Sequence, residues 1–116
     1  MARGGFASLG PFEQMVLSAI LMLDEQAYGV SIHAAVEELA APKTVSLGPI
    51  YVTLDRLEDK GLIVSRLSDP TPERGGRAKR CYRLEAAGER ALKESIAAAK
   101  RLHRAVEKAL NPAHQH

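Results

Sequence analysis

Arg74, Arg77, Lys79 and Arg80 put four cations within seven residues, around the pair Gly75 and Gly76. Charges at that density suit phosphate oxygens, whose contacts dominate nucleic-acid affinity and make it salt-dependent. The two glycines let a loop bend and bring its backbone close to a phosphate. Upstream, Arg56 is a candidate for a guanine edge or a phosphate. Ser46, Gly48, Pro49, Tyr51, Thr53 and Lys60 join it as candidate DNA contacts on or beside one helix. Tyr51 either donates its hydroxyl to a phosphate or lies half-buried. Ser46 caps the helix, and a phosphate contact is compatible with that role. Asp55 and Asp59 repel phosphate, and pairing with Arg or Lys on the same helix is their alternative.

Catalytic chemistry finds no comparable constellation. An enzyme needs a nucleophile with its base, paired carboxylates or converging metal ligands. The four histidines are 33, 103, 114 and 116, two of them in the tail. Asp24-Glu25 and Glu37-Glu38 read as solvated charge on or beside helices, and no GxxxxGK[ST] loop occurs. The sequence therefore predicts no catalytic residues, no metal and no cofactor. The single cysteine, Cys81, excludes an internal disulfide and a multi-thiolate zinc framework. It reads as a reduced thiol on a strand, with redox sensing the alternative because Lys79, Arg80 and Arg83 lie nearby.

Net charge is +2, but its distribution is uneven. Residues 1–42 hold one base against five acids, residues 43–84 nine against five, and residues 85–116 six against four. The basic excess thus coincides with the candidate DNA contacts. With 116 residues the chain fits one domain. Without Trp, its core must be built from Leu, Val, Ile and Ala. No apolar run approaches a membrane span, and Met1 to Gly5 lead into no signal-peptide pattern. A cytoplasmic protein is expected.

Four helices and a hairpin must position these residues. Phe12, Met15, Val16, Ala19, Ile20 and Leu23 form an amphipathic stripe behind Pro11. A short turn at Asp24-Glu25-Gln26 precedes a second helix from about Gly29 to Leu39, with Ile32, Ala35, Val36 and Leu39 inward. Pro42 lies just beyond its end. A third helix starts near Ser46, turns Ile50, Leu54 and Leu57 inward, and stops at Gly61. Its opposite face carries Gly48, Val52, Asp55, Arg56 and Asp59. Strands at 63–68 and 79–84 flank the Pro- and Gly-rich stretch 69–77. A last helix runs from Glu85 or Ala86 to Leu110. In it Leu92, Ile96, Ala99, His103, Val106 and Leu110 follow a 4-3-4-3-4 spacing, a heptad-like seam.

Three helices followed by a hairpin form the winged helix-turn-helix plan, a mainly α fold with a small β-hairpin. Residues 1–84 make the DNA-binding domain, and 85–116 a dimerisation helix and tail in the same compact unit. The third helix fits a major groove, and the loop reaches the flanking backbone.

Four segments resemble the PadR family of transcriptional regulators. They are Leu9-Gly10-Pro11-Phe12-Glu13, Ala27-Tyr28-Gly29-Val30, the run from Gly48 to Leu62, and the run from Glu73 to Tyr82. The resemblance covers roughly residues 9–92. It implies a homodimeric repressor on a near-palindromic operator. Tyr28-Gly29 matches the pair that opens the family's second helix. Gly48 to Tyr51 matches the Gly-x-x-Tyr start of its recognition helix, and Gly75 to Lys79 its Gly-Gly-Arg-x-(Lys/Arg) wing. With one long terminal helix the chain looks like the family's short branch. It departs from the usual Leu-Thr-x-x-Gly at Leu84-Glu85-Ala86-Ala87-Gly88, so the last helix is expected to fray or shift at its start. Some members bind aromatic or lipophilic effectors, which makes a small-molecule effector an expectation from resemblance alone.

The seam from Leu92 to Leu110 is the expected homodimer surface, with the first helix sharing it. Packing of that helix back on its own domain is the alternative. His103 is expected as a partly exposed filler. The chief functional rival to double-stranded DNA as partner is a winged helix used only for protein contact.

Overall fold

The computed structural model describes residues 9–68 and 78–111. Its elements are α1 (Pro11–Leu23), a 3-10 turn (Asp24–Gln26), α2 (Gly29–Ala40), α3 (Leu47–Asp59), β1 (Ile63–Leu67), β2 (Arg80–Leu84) and α4 (Ala86–Leu110). β1 and β2 pair antiparallel, with Ile63 opposite Leu84 and Leu67 opposite Arg80. This is the expected helix–helix–helix–hairpin–helix order. One pairing goes beyond it: Tyr28 bridges Cys81, and the Tyr82 N–H donates to the Ala27 carbonyl at 2.8 Å. The residues entering α2 thus add a third, minimal strand beside β2.

Local chemistry sets the helix ends. Pro11 occupies the first turn of α1, and the Gly10 N–H donates to the Glu13 carboxylate at 3.1 Å. Before α2, the Tyr28 N–H donates to the Ser31 hydroxyl, which donates to the Gln26 carbonyl. α3 stops at Gly61, whose φ of +77° is a left-handed conformation that costs other residues more. The Gly61 N–H donates to Glu58 and the Leu62 N–H to Leu57, closing a paired C-terminal motif.

The core is aliphatic but for Tyr82, an aromatic that the expected Leu, Val, Ile and Ala core did not include. Val16, Leu17 and Ile20 of α1 meet Ile32 and Val36 of α2, Ile50, Leu54 and Leu57 of α3, Ile63 of β1 and Tyr82 of β2. Helix α1 touches α2, α3, α4 and β2. It is therefore buried over a wider arc than one stripe, and Leu17 is inside although it lies off the expected seam. Leu39 is corrected in the other direction. It is 45% exposed, because the last turn of α2 has left the core.

Helix α4 starts in the core and ends outside it. Leu92 is buried among the core residues of its own domain, which corrects its place in the expected dimer seam. Beyond it Ile96, Ala99, His103, Val106 and Leu110 are exposed, and so is Leu102. The start of α4 is not displaced by its missing Thr cap. The Glu85 N–H donates to the Leu62 carbonyl and the Glu89 N–H to the Glu85 carbonyl, so backbone bonds hold the first turn.

Candidate nucleic-acid interface

Helix α3 buries Ile50, Thr53, Leu54 and Leu57 and leaves Gly48, Val52, Asp55, Arg56 and Asp59 exposed. Among the described residues its outward face carries no packing, which is what a helix entering a major groove requires. Thr53 is a correction among the expected contacts. It is 4% exposed and lies one turn from Ile50 and Leu57, so its side chain offers no surface to DNA. Lys60, expected as a DNA contact, is 41% exposed and also pairs within its own domain. Its ammonium holds the Glu13 carboxylate at 2.9 Å, tying the end of α3 to the start of α1. Burial raises the Glu13 pKa, but Lys60 and the Gly10 N–H outweigh it, and the carboxyl sits below its ordinary value.

Tyr51 lies beside α2. It is 43% exposed, and its ring and hydroxyl occupy the space that a side chain on Gly29 would fill. A Cβ built there would stand 2.1 Å from the tyrosine oxygen. The two expected motifs, Tyr28-Gly29 and Gly48 to Tyr51, therefore meet in space. Ser46 is the N-cap residue of α3 with extended backbone, and its hydroxyl makes no capping bond. Asp55 and Asp59 form no ion pair among the described residues.

The base of the wing is tied into the same region. Lys79 places its ammonium 3.7 Å from the centre of the Tyr28 ring, a cation–π contact. Arg80 donates to the Ser65 hydroxyl at 3.0 Å, and that hydroxyl donates to Glu58 on α3. Burial first, and the carboxylates of Asp55 and Glu58, raise the Tyr82 phenol above its usual value against the pull of Arg80. Arg74, Gly75, Gly76 and Arg77 lie outside the described residues. Among those described, no group of three or more His, Cys, Asp or Glu is placed to hold a metal. No helix there is long and apolar enough to cross a membrane.

The profile of the transcriptional regulator PadR-like family matches residues 16–94. The chain belongs to the PadR-like family. It is a DNA-binding transcriptional regulator with a winged-helix fold, and not an enzyme. No curated protein matches it. Among solved structures it is similar to a PadR family transcription regulator from Clostridium difficile, at 26% identity over 87% of this chain and 99% of that one, with a TM-score of 0.72. A Streptococcus transcriptional regulator matches at 26% identity over 85% and 91% of the two chains, TM-score 0.69. The Aeropyrum pernix ORC1 protein, solved in complex with DNA, matches at 27% identity over 79% of this chain and 26% of its own, TM-score 0.61.

In this PadR-like chain several contacts escaped the sequence. The Tyr28–Cys81 bridge, the Lys79–Tyr28 contact and the Glu58–Ser65–Arg80 chain all join residues far apart in sequence. A further pair, His33 and Glu37 on α2, reaches the backbone before α3. Its only trace in the sequence is the i, i+4 spacing of two polar residues, which marks any helix surface equally well.

Proposed function

We propose that the protein is a cytoplasmic, homodimeric repressor of a near-palindromic promoter site. The exposed face of α3 carries this reading. Ser46, Gly48, Pro49, Tyr51 and Arg56 enter the major groove. Lys79 and Arg80, with Arg74, Gly75, Gly76 and Arg77 of the wing, take the flanking phosphates. Residues 1–84 form the DNA-binding part and 85–116 the dimerising part. One domain covers one half-site, and two-fold symmetry supplies the second.

The dimer surface is the exposed portion of α4, now without Leu92. Ile96, Ala99, His103, Val106 and Leu110 stay in it, and Leu102 joins them. These side chains leave a largely aliphatic face that nothing among the described residues covers, the condition under which a partner helix gains by docking. A groove of about 640 Å³ runs between α1 and α4, lined by Leu9, Gln14, Ala91, Ser95, Ala98 and Leu102 among others. A lipophilic effector bound there, against the partner helix, releases DNA by changing the spacing of the two α3 helices.

Fluorescence anisotropy decides the main claim, with duplexes tiled across the gene's own promoter at two salt concentrations. Selective binding to one near-palindrome is expected, weakened by salt and by Arg74→Ala/Arg77→Ala. Asp55 and Asp59 on the outward face of α3 favour a second reading, a winged helix used for protein contact. Weak binding, equal on every duplex and unchanged by the wing variant, would establish that one instead.

A further inference from the structure

The position of α3 is set from outside the helix. Ser46 has the backbone of an N-cap residue, φ −77° and ψ 158°, but contributes no side-chain bond to the helix start. The usual local anchor is therefore missing. The residue before it, Val45, is held instead by two side chains of α2. The His33 Nε2 lies 2.5 Å from the Val45 carbonyl oxygen. A carbonyl only accepts, so this ring nitrogen carries the proton and donates it. The Glu37 Oε2 accepts the Val45 N–H at 3.4 Å. His33 and Glu37 stand one turn apart on one face of α2, 3.8 Å from each other. The Val45 side chain packs against the core. One residue is thus gripped at its N–H, its carbonyl and its side chain.

We infer that His33 and Glu37 are positioning residues for DNA recognition: they clamp the Val45 backbone, and so fix where the recognition helix begins. The inference rests on the proposed role of α3 in DNA binding. The N-terminal part of a recognition helix lies nearest the base edges, so a shift at Val45 passes directly to Ser46, Gly48 and Tyr51. The clamp also leaves the Ser46 hydroxyl available to a phosphate. Neither clamp residue is part of the core, since their side chains are 25% and 41% exposed. The fold survives without them, and the docking geometry of α3 does not.

The test uses the full chain, the selected promoter duplex and an unrelated duplex of equal length. His33→Leu removes the donor, and His33→Gln keeps an N–H of similar reach. The expected result is a loss of roughly fivefold in specific affinity for His33→Leu, the equivalent of one hydrogen bond. Affinity for the unrelated duplex and the salt slope stay unchanged, because phosphate contacts keep their number. His33→Gln recovers most of the loss. In Glu37→Ala, hydrogen exchange at the Val45 amide accelerates while core amides keep their protection. Unchanged specific affinity in His33→Leu, equal loss on both duplexes, or no recovery in His33→Gln each overturns the clamp alone. A wild-type protein without selectivity overturns the DNA-binding reading and the clamp with it.

Discussion

Tyr51 and Gly29 are closely coupled at the residue scale. The tyrosine ring fills the place of the missing side chain, so a side chain on Gly29 must displace it. Gly29→Ala is expected to destabilise the fold by about 1 kcal/mol by forcing the ring from its rotamer. In a Tyr51→Ala background the same change becomes neutral or stabilising. Urea titration of the four members of this double-mutant cycle measures the coupling, and additive effects would contradict the contact. Glu13 gives a second residue-scale prediction. Its folded pKa lies below the ordinary 4.5, so the stability it contributes is complete above that value. It is lost as pH falls through the lower, folded value. Glu13→Gln should cost up to about 1 kcal/mol at neutral pH, because its partner Lys60 is half-exposed and screened. The difference from wild type should vanish in strong acid. A pH-independent difference in melting would assign the effect to packing and not to charge.

At the element scale, α4 does two jobs along one seam. Its first turns complete the core through Leu92, and its later turns present an apolar face outward. Substitutions along the seam should therefore separate. Leu92→Ala should cost about 2–5 kcal/mol of domain stability, the range for a buried leucine. Val106→Asp should leave the domain folded and abolish association. Denaturant unfolding and sedimentation, run on both variants, check this. A Val106→Asp protein that stayed dimeric would move the interface elsewhere. Helix α3 shows the same division around its circumference. Thr53 sits inside and Val52 outside, although both are small β-branched residues. Neighbouring residues on a helix differ by about 100° in direction, and the tertiary contacts of α3 decide which of the two is covered.

At the scale of the whole molecule, the long dimension of 66 Å reflects a helix that outruns its domain. An exposed aliphatic helix in water gains most by finding a second copy. Thermal stability should therefore rise with protein concentration, by mass action. A melting temperature independent of concentration over two decades would count against dimerisation. If the two α3 helices are spaced by α4, Leu102→Asp/Val106→Asp should also lose operator affinity while each domain keeps its fold. Anisotropy alongside circular dichroism separates these.

The amino-acid sequence determined the order of elements, because periodicity, capping and turn chemistry are local properties. Pro11, Gly61 and the 3.6-residue stripes mark their helices without help from the rest of the chain. Its resemblance to known regulators in four segments also pointed to the family, which the profile over residues 16–94 bears out. Tertiary structure decided which residues remain available to a partner. Thr53, Lys60 and Leu92 had types and positions suited to an interface, and each is engaged within its own domain. What covers them, α1 and α2 packed against the buried face of α3 that holds Thr53, Glu13 beside Lys60 and the core around Leu92, comes from the meeting of separate elements. Burial and pairing depend on which surfaces come together, and residues 47 positions apart, such as Glu13 and Lys60, carry no periodic signal of their contact. The clamp on Val45 belongs to the same class: two helices had to be placed before a histidine and a carbonyl could meet.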